Sequence, residues 1–290
     1  MDFKNKLVIS ILFILIFQIP LYADTCPTET LKNKFQKLSF KDLKNDMNLI
    51  VKGADELLNM SIGKNEKCQE KLLSVFRKYY FDTLNKCGKN GNYLSNYSLA
   101  KRDVSKEAQI NSFLSKAGWT LKESEGILYI GELGGWFEKK FEIILTQPYK
   151  QYLELRSNEI VEGFSEDAGL SISWEQLRNR ITKWESFLAK YPDFVENPEI
   201  REYLDIYIRT YLFGMDNSRI HDFDNMNLRK EVKTSYEIFL KENKSSKYYN
   251  LVKDCYEMLR RNKFVVPENY KEYLEKNGLE TMLGVQPPTY

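Results

Sequence analysis

The stretch SWEQLRNRITKWESFLAKYPDFVENPEIREYLDIYIRTYLFG, residues 173–214, decides how the chain folds. Ser173 and Gln176 form a capping box, in which a helix-opening hydroxyl and a side-chain amide three residues later close the first turn. Trp174, Leu177, Ile181, Trp184, Leu188 and Tyr191 then hold one face until Pro192, the spacing of an amphipathic helix. Asn197-Pro198 reads as an N-cap followed by the proline favoured at the first helical position. Ile200, Tyr203, Leu204, Tyr207, Ile208, Tyr211 and Leu212 continue at helical spacing, and Gly214 ends them. Two amphipathic helices joined by a short turn set the class as mostly all-α.

Helical signals extend in both directions. Ser39 with Asp42 opens a helix that runs to about Met60, and Cys68, Leu72, Val75, Phe76 and Tyr79 mark a continuous one ending near Gly88. Residues 88–103 are polar and read as a long connection. Asp103 or Ser105 starts another helix that stops near Gly118. Further helices fall at about 229–242 and 246–262, and Pro267 opens a last short one. Trp119 to Ile130 breaks the pattern with two short strand-like runs around Ser124-Glu125-Gly126, followed by three glycines in residues 131–135. The expectation is a multi-helix bundle or short irregular α-solenoid of about eight to ten helices, with a small hairpin or loop inserted near 119–135. Residues 24–100 form an N-terminal helical region and 101–290 the main helical domain, the two able to pack as one.

Thr182-Lys183-Trp184-Glu185-Ser186-Phe187-Leu188 is echoed 52 residues later by Thr234-Ser235-Tyr236-Glu237-Ile238-Phe239-Leu240. With the Pro192 turn and the Tyr-rich helix that follows, residues 180–260 resemble tetratricopeptide-like helical repeats of exported bacterial proteins. The resemblance implies a helical module that binds proteins or peptides. The 34-residue period and the Trp-x-x-Leu-Gly-x-x-Tyr signature of that family are missing.

The first 23 residues read as an export signal: Lys4 and Lys6, an apolar run from Leu7 to Phe17, then Pro20 and Ala23 at a cleavage site before Asp24. That run is about half of what a bilayer-spanning helix needs, roughly 20 residues, and no later stretch approaches it. A periplasmic or secreted chain with no transmembrane segment in its mature part is therefore expected. Composition agrees: 42% hydrophobic residues suffice for a packed core, and a net charge of +2 supplies no field for nucleic acid.

Four cysteines, Cys26, Cys68, Cys87 and Cys255, follow the signal. In an oxidising compartment an even count suggests two disulfides. An unbroken helix would hold Cys68 and Cys87 roughly 28 Å apart at about 1.5 Å per residue, far beyond disulfide reach. Each is then expected to pair with Cys26 or Cys255. Cys255 also lies on an apolar stripe, where a cysteine serves as a small buried hydrophobe.

Catalytic chemistry has little to work with. His221 is the one histidine, and no serine stands in a G-x-S-x-G elbow. No metal and no cofactor are expected. Paired acids can hydrolyse sugars without histidine, so Glu123, Glu125, Glu166 and Asp167 are candidates for a cell-wall-directed hydrolase. The cluster Glu159, Glu162, Glu166, Asp167, with Arg156 one turn before Glu159, offers a cation or basic-peptide site. Trp119 and Trp136, flanking the glycines, offer an aromatic platform or core packing. The binding candidates are thus Trp119, Glu125, Trp136, Arg156, Glu159, Glu166 and Asp167. The expected function is a non-enzymatic protein- or peptide-binding module of the bacterial cell envelope, with the hydrolase or an inhibitor of a secreted enzyme as alternatives.

Overall fold

A computed structural model describes residues 26–36, 42–89, 103–124 and 126–279. Helix α1 (Thr28–Gln36) leads into α2 (Leu43–Ser61), which is opened by Asp42, whose carboxylate accepts the Asn45 N–H at 2.8 Å. Ser39 and the expected signal lie outside the described residues. Helix α3 (Glu66–Lys89) runs unbroken through both of its cysteines and one residue past Gly88. Asp103 caps α4 (Val104–Leu114) by accepting the Ser105 and Lys106 N–H groups. A 3-10 turn follows, and Gly118 reverses the chain at φ 75°.

The inserted hairpin is real and two residues longer than its sequence pattern. Strand β1 (Trp119–Ser124) pairs antiparallel with β2 (Ile127–Glu132), Trp119 opposite Glu132. Gly118 has a second reason to be glycine: a Cβ there would stand 2.4 Å from the Trp136 ring. Helices α5 (Trp136–Phe141) and α6 (Gln147–Glu162) carry the chain onward, the second capped by the Thr146 hydroxyl.

Next come the helices that decided the class. Ser173 caps α7 (Trp174–Lys190) with the full capping box. Helix α8 (Asn197–Phe213) starts one residue earlier than the N-cap reading of Asn197 implied. The Asn197 amide instead donates to the Tyr191 and Pro192 carbonyls, tying the turn from inside. Helices α9 (Lys230–Glu242), α10 (Tyr249–Arg261) and α11 (Tyr270–Lys276) complete a fold of eleven helices among the described residues.

Two miniature strand pairs join the helices. Strands β3 (Ser165–Glu166) and β4 (Gly169–Leu170) link α6 to α7, and β5 (Gly214–Met215) and β6 (Ser218–Arg219) follow α8. They lie side by side, with the Asn217 N–H on the Ala168 carbonyl at 3.0 Å and the Leu170 N–H on Ser218 Oγ at 2.8 Å. The loop before α9 and the turn after α10 are bonded likewise, Leu228 N–H to the Phe264 carbonyl at 2.7 Å.

The echoed phrases fall on α7 and α9, which pack together. Trp184 and Tyr236 are both fully buried, as are Phe187 and Phe239. The burial pattern of α6, α8 and α10 repeats as well. Tyr149, Ile200 and Val252 are buried at equivalent places, as are Tyr152, Tyr203 and Cys255. One continuous core runs from Leu31 to Leu279. Residues of the N-terminal region therefore share it with those of the main helical region.

The cysteines need a correction. One disulfide forms, Cys26–Cys68, and it ties the start of α1 to α3 across a sequence separation of 42. A cross-link of that span contributes about 4 kcal/mol in the chain-entropy account. Cys87 and Cys255 keep free, buried thiols in place of the second bond. Cys87 lies beside Asp46 of α2 and Cys255 beside Tyr270 of α11. Burial pushes both thiols up to about 12, so neither supplies thiolate near neutral pH. Among the described residues no helix is long and apolar enough to cross a membrane.

Candidate functional site

The densest chemistry lies inside the fold, where α3, β2, α6, α7 and α8 meet. Three arginines enter this region from positions on apolar stripes. Arg77 follows Phe76 on α3, Arg156 lies between Leu153 and Ile160 on α6, and Arg180 precedes Ile181 on α7. All three are at least 96% buried. Burying a cation is costly unless it is paired and hydrogen-bonded, and each of these is.

Arg77 Nη1 stands 3.0 Å from Glu196 and 3.1 Å from Glu199, both at the start of α8. Arg156 Nη2 reaches Glu132 at the end of β2, 3.3 Å away. Arg180 Nη2 donates to Glu162 at 2.8 Å and to the Gly163 carbonyl at 2.7 Å. Each guanidinium also lies over a tyrosine ring of another helix. Arg77 covers Tyr152 at 4.8 Å, Arg156 covers Tyr203 at 5.0 Å, and Arg180 covers Tyr207 at 5.8 Å. Such cation–π contacts gain strength when desolvated.

The acids are held from their other sides too. Glu159 accepts the Trp184 indole N–H at 2.7 Å and the Tyr207 hydroxyl at 2.8 Å. The Tyr149 hydroxyl donates to Glu196 and the Tyr203 hydroxyl to Glu199. This bonding sets the carboxylates against one another. Burial lifts Glu132 above the usual carboxylate range, although Arg156 and Arg77 pull it back. Burial lifts Glu159 in the same way against Arg180. Burial would raise Glu199 as well, but Arg77 and Arg156 outweigh it and hold that group down to about 2. Neighbouring acids with separated pKa values are the raw material of acid–base pairs.

The residues singled out from sequence fall in different surroundings. Trp119 is fully buried, and Trp136 is half-buried, stacked on Tyr80 with centroids 5.7 Å apart. Arg156 and Glu159 both belong to the buried cluster, Arg156 bridging to Glu132 and Glu159 bonded to Trp184 and Tyr207. Glu159 and Glu162 do share a face, where Arg180 meets both. Glu166 and Asp167 stand exposed on the turn between β3 and β4, apart from that cluster. Glu123 is exposed on β1, and Glu125 lies outside the described residues. His221 is half-buried, its Nδ1 2.9 Å from the Asp222 carbonyl. Among the described residues no group of three or more His, Cys, Asp or Glu side chains could hold a metal ion.

Sequence reasoning missed Arg77, Glu132, Arg180, Glu196 and Glu199. A signal was available for the arginines, since a charge inside an apolar helical stripe requires a partner in the core. The glutamates come from a strand end and from a turn entering a helix, where periodicity is silent. No family model, curated protein or solved structure matches this chain.

Proposed function

We propose that the chain is an exported, non-enzymatic helical module of the bacterial cell envelope that binds a protein or peptide through the outward face of α6, α8 and α10. The observation that carries this reading is a repeat of charge where packing does not demand one. Lys150, Arg201 and Lys253 occupy equivalent exposed positions on the three helices. Glu154, Asp205 and Glu257 follow each of them four residues later, two exposed and the third partly so. Recurrence among buried positions follows from stacking alike helices, whereas exposed positions tolerate most residues. A base four residues before an acid is also the weaker order for helix stabilisation. Asp205 and Glu257 already serve their own helices, each paired at 2.7 Å with a base that follows it, Arg209 and Arg260. What helix stability leaves over is the row of exposed bases Lys150, Arg201 and Lys253, which an acidic partner surface accounts for.

Export is supported by the basic, then apolar, then small-residue order of residues 4–23. The Cys26–Cys68 bond fits it, because such bonds persist in oxidising compartments. A second reading, a cell-wall-directed hydrolase, draws on the acids Glu123, Glu166 and Asp167, which stand exposed. An inhibitor of a secreted enzyme is a special case of the binding reading.

Photo-crosslinkers placed at residues 201 and 253 in native cells test the proposal against crosslinkers at 183 and 237 on α7 and α9. The expected result is one discrete adduct from the first pair and none from the second. Product released from purified peptidoglycan, and lost in Glu125→Gln or Asp167→Asn, would replace this reading with the hydrolase.

A further inference from the structure

Helix α1 is held to the rest of the fold along one face only, by two side chains that enter the core. Among its side chains Leu31 and Phe35 are buried, while Glu29, Thr30, Lys32, Asn33 and Lys34 are exposed. Phe35 stacks on Tyr79 with ring centroids 4.2 Å apart. It fits because residue 53 is glycine, where a Cβ would come within 3.0 Å of the Phe35 ring. Lys34 adds one exposed ion pair with Glu56, of a kind that contributes little. Nine residues fall short of the length at which a helix persists alone in water. Beside the packing of Leu31 and Phe35, the covalent hold is the disulfide, fixed two residues before the helix begins.

The two ends of that bond differ. Cys68 is 4% exposed and sits in the core, whereas Cys26 is half-buried at the edge. An attacking thiolate needs access to a sulfur atom, and of the two residues Cys26 is the more exposed.

We propose that Cys26 is the point of attack for a dithiol reductant, and that reduction releases α1 as a strap from the aromatic face of Phe76 and Tyr79. One thiolate of the reductant attacks Cys26 Sγ; the bond to Cys68 breaks, and Cys68 leaves as a thiolate that takes up a proton. The second thiol of the reductant then attacks the mixed disulfide, freeing Cys26 as a thiol and closing the reductant's own disulfide. Two electrons pass from the dithiol to the protein. Cys87 and Cys255, buried elsewhere, remain bystanders. The inference uses none of the helical face proposed to bind a partner and stands apart from it.

The test is hydrogen exchange of the full chain with and without dithiothreitol, followed by alkylation and peptide mapping. Reduction should expose Cys26 and Cys68 to alkylation but leave Cys87 and Cys255 unlabelled. Exchange in residues 28–36 should accelerate tenfold or more while α7 to α10 keep their protection. Cys26→Ser should show the same accelerated segment without any reductant. The proposal is overturned if residues 28–36 stay protected after reduction. It is equally overturned if the bond resists the dithiol under native conditions, or if all four thiols label together as protection is lost throughout.

Discussion

Arg77 shows how much of this molecule turns on single buried charges. Its guanidinium meets Glu196 and Glu199 from a position on α3 flanked by Phe76 and Tyr80. Removing one member of a buried pair leaves the other inadequately compensated. Glu199→Gln should destabilise the fold by about 2–3 kcal/mol at pH 7, below the roughly 3–5 kcal/mol of a fully buried pair, because Arg77 keeps Glu196 and the Glu199 side chain is 28% exposed. Because the folded carboxyl is held at about 2, its contribution is present above the ordinary value near 4.5 and is lost as pH falls through 2. Urea denaturation at pH 7, 4 and 3 should therefore show the gap between variant and wild type closing with acid. Glu159 should behave oppositely. Its folded pKa is raised, so the folded state binds the proton more tightly and wild type gains on Glu159→Gln as pH drops from 7 toward 4.5. The same titration checks it, and a loss over that interval would contradict the assignment. At this scale the sequence was half legible. Arg156 and Glu159 were found by their helical spacing, but their partners lie on other elements, which spacing along one helix cannot reveal.

Elements were the more readable level, because caps and periodicity are local. Asp42, Asp103 and Ser173 each accept backbone N–H groups where a helix opens. Ser173→Ala should cost about 1 kcal/mol, the usual value for losing an N-cap, measured as a shift of the denaturation midpoint at constant slope. Gly118 is the more severe case. A side chain there combines φ 75° with a 2.4 Å approach to the Trp136 ring. Gly118→Ala should cost about 3 kcal/mol or more, from strain plus repacking, and should reduce the near-ultraviolet circular dichroism of the tryptophans. An unchanged midpoint would show that Trp136 does not pack there. The strand pairs β3–β4 and β5–β6 escaped sequence reading, since two-residue strands are too short to show alternation. The shift at Asn197 has a comparable cause: its amide serves the preceding turn and leaves the helix to begin at the asparagine itself.

For the whole molecule, the cysteines and the repeat carry the argument. Peptide mapping under non-reducing conditions should recover Cys26 cross-linked to Cys68, with Cys87 and Cys255 alkylated only after unfolding. A cross-link between Cys87 and Cys255 would require α3 and α10 to lie elsewhere. The 52-residue echo was visible between α7 and α9, but the matching of α6 with α8 emerges only when burial is known. There Arg156 stands where α8 has Tyr207 and α10 has Leu259, a substitution that hides the pattern from any search for apolar residues. The outward charges make the same comparison from the solvent side, and the central claim rests on them. The decisive measurement is partner capture in native cells by a variant carrying Lys150→Gln, Arg201→Gln and Lys253→Gln. These changes touch exposed positions, so helical content and denaturation midpoint should stay close to wild type. The account predicts that the folded variant loses the crosslinked partner; a variant that keeps its fold and still captures that partner at full yield would contradict it.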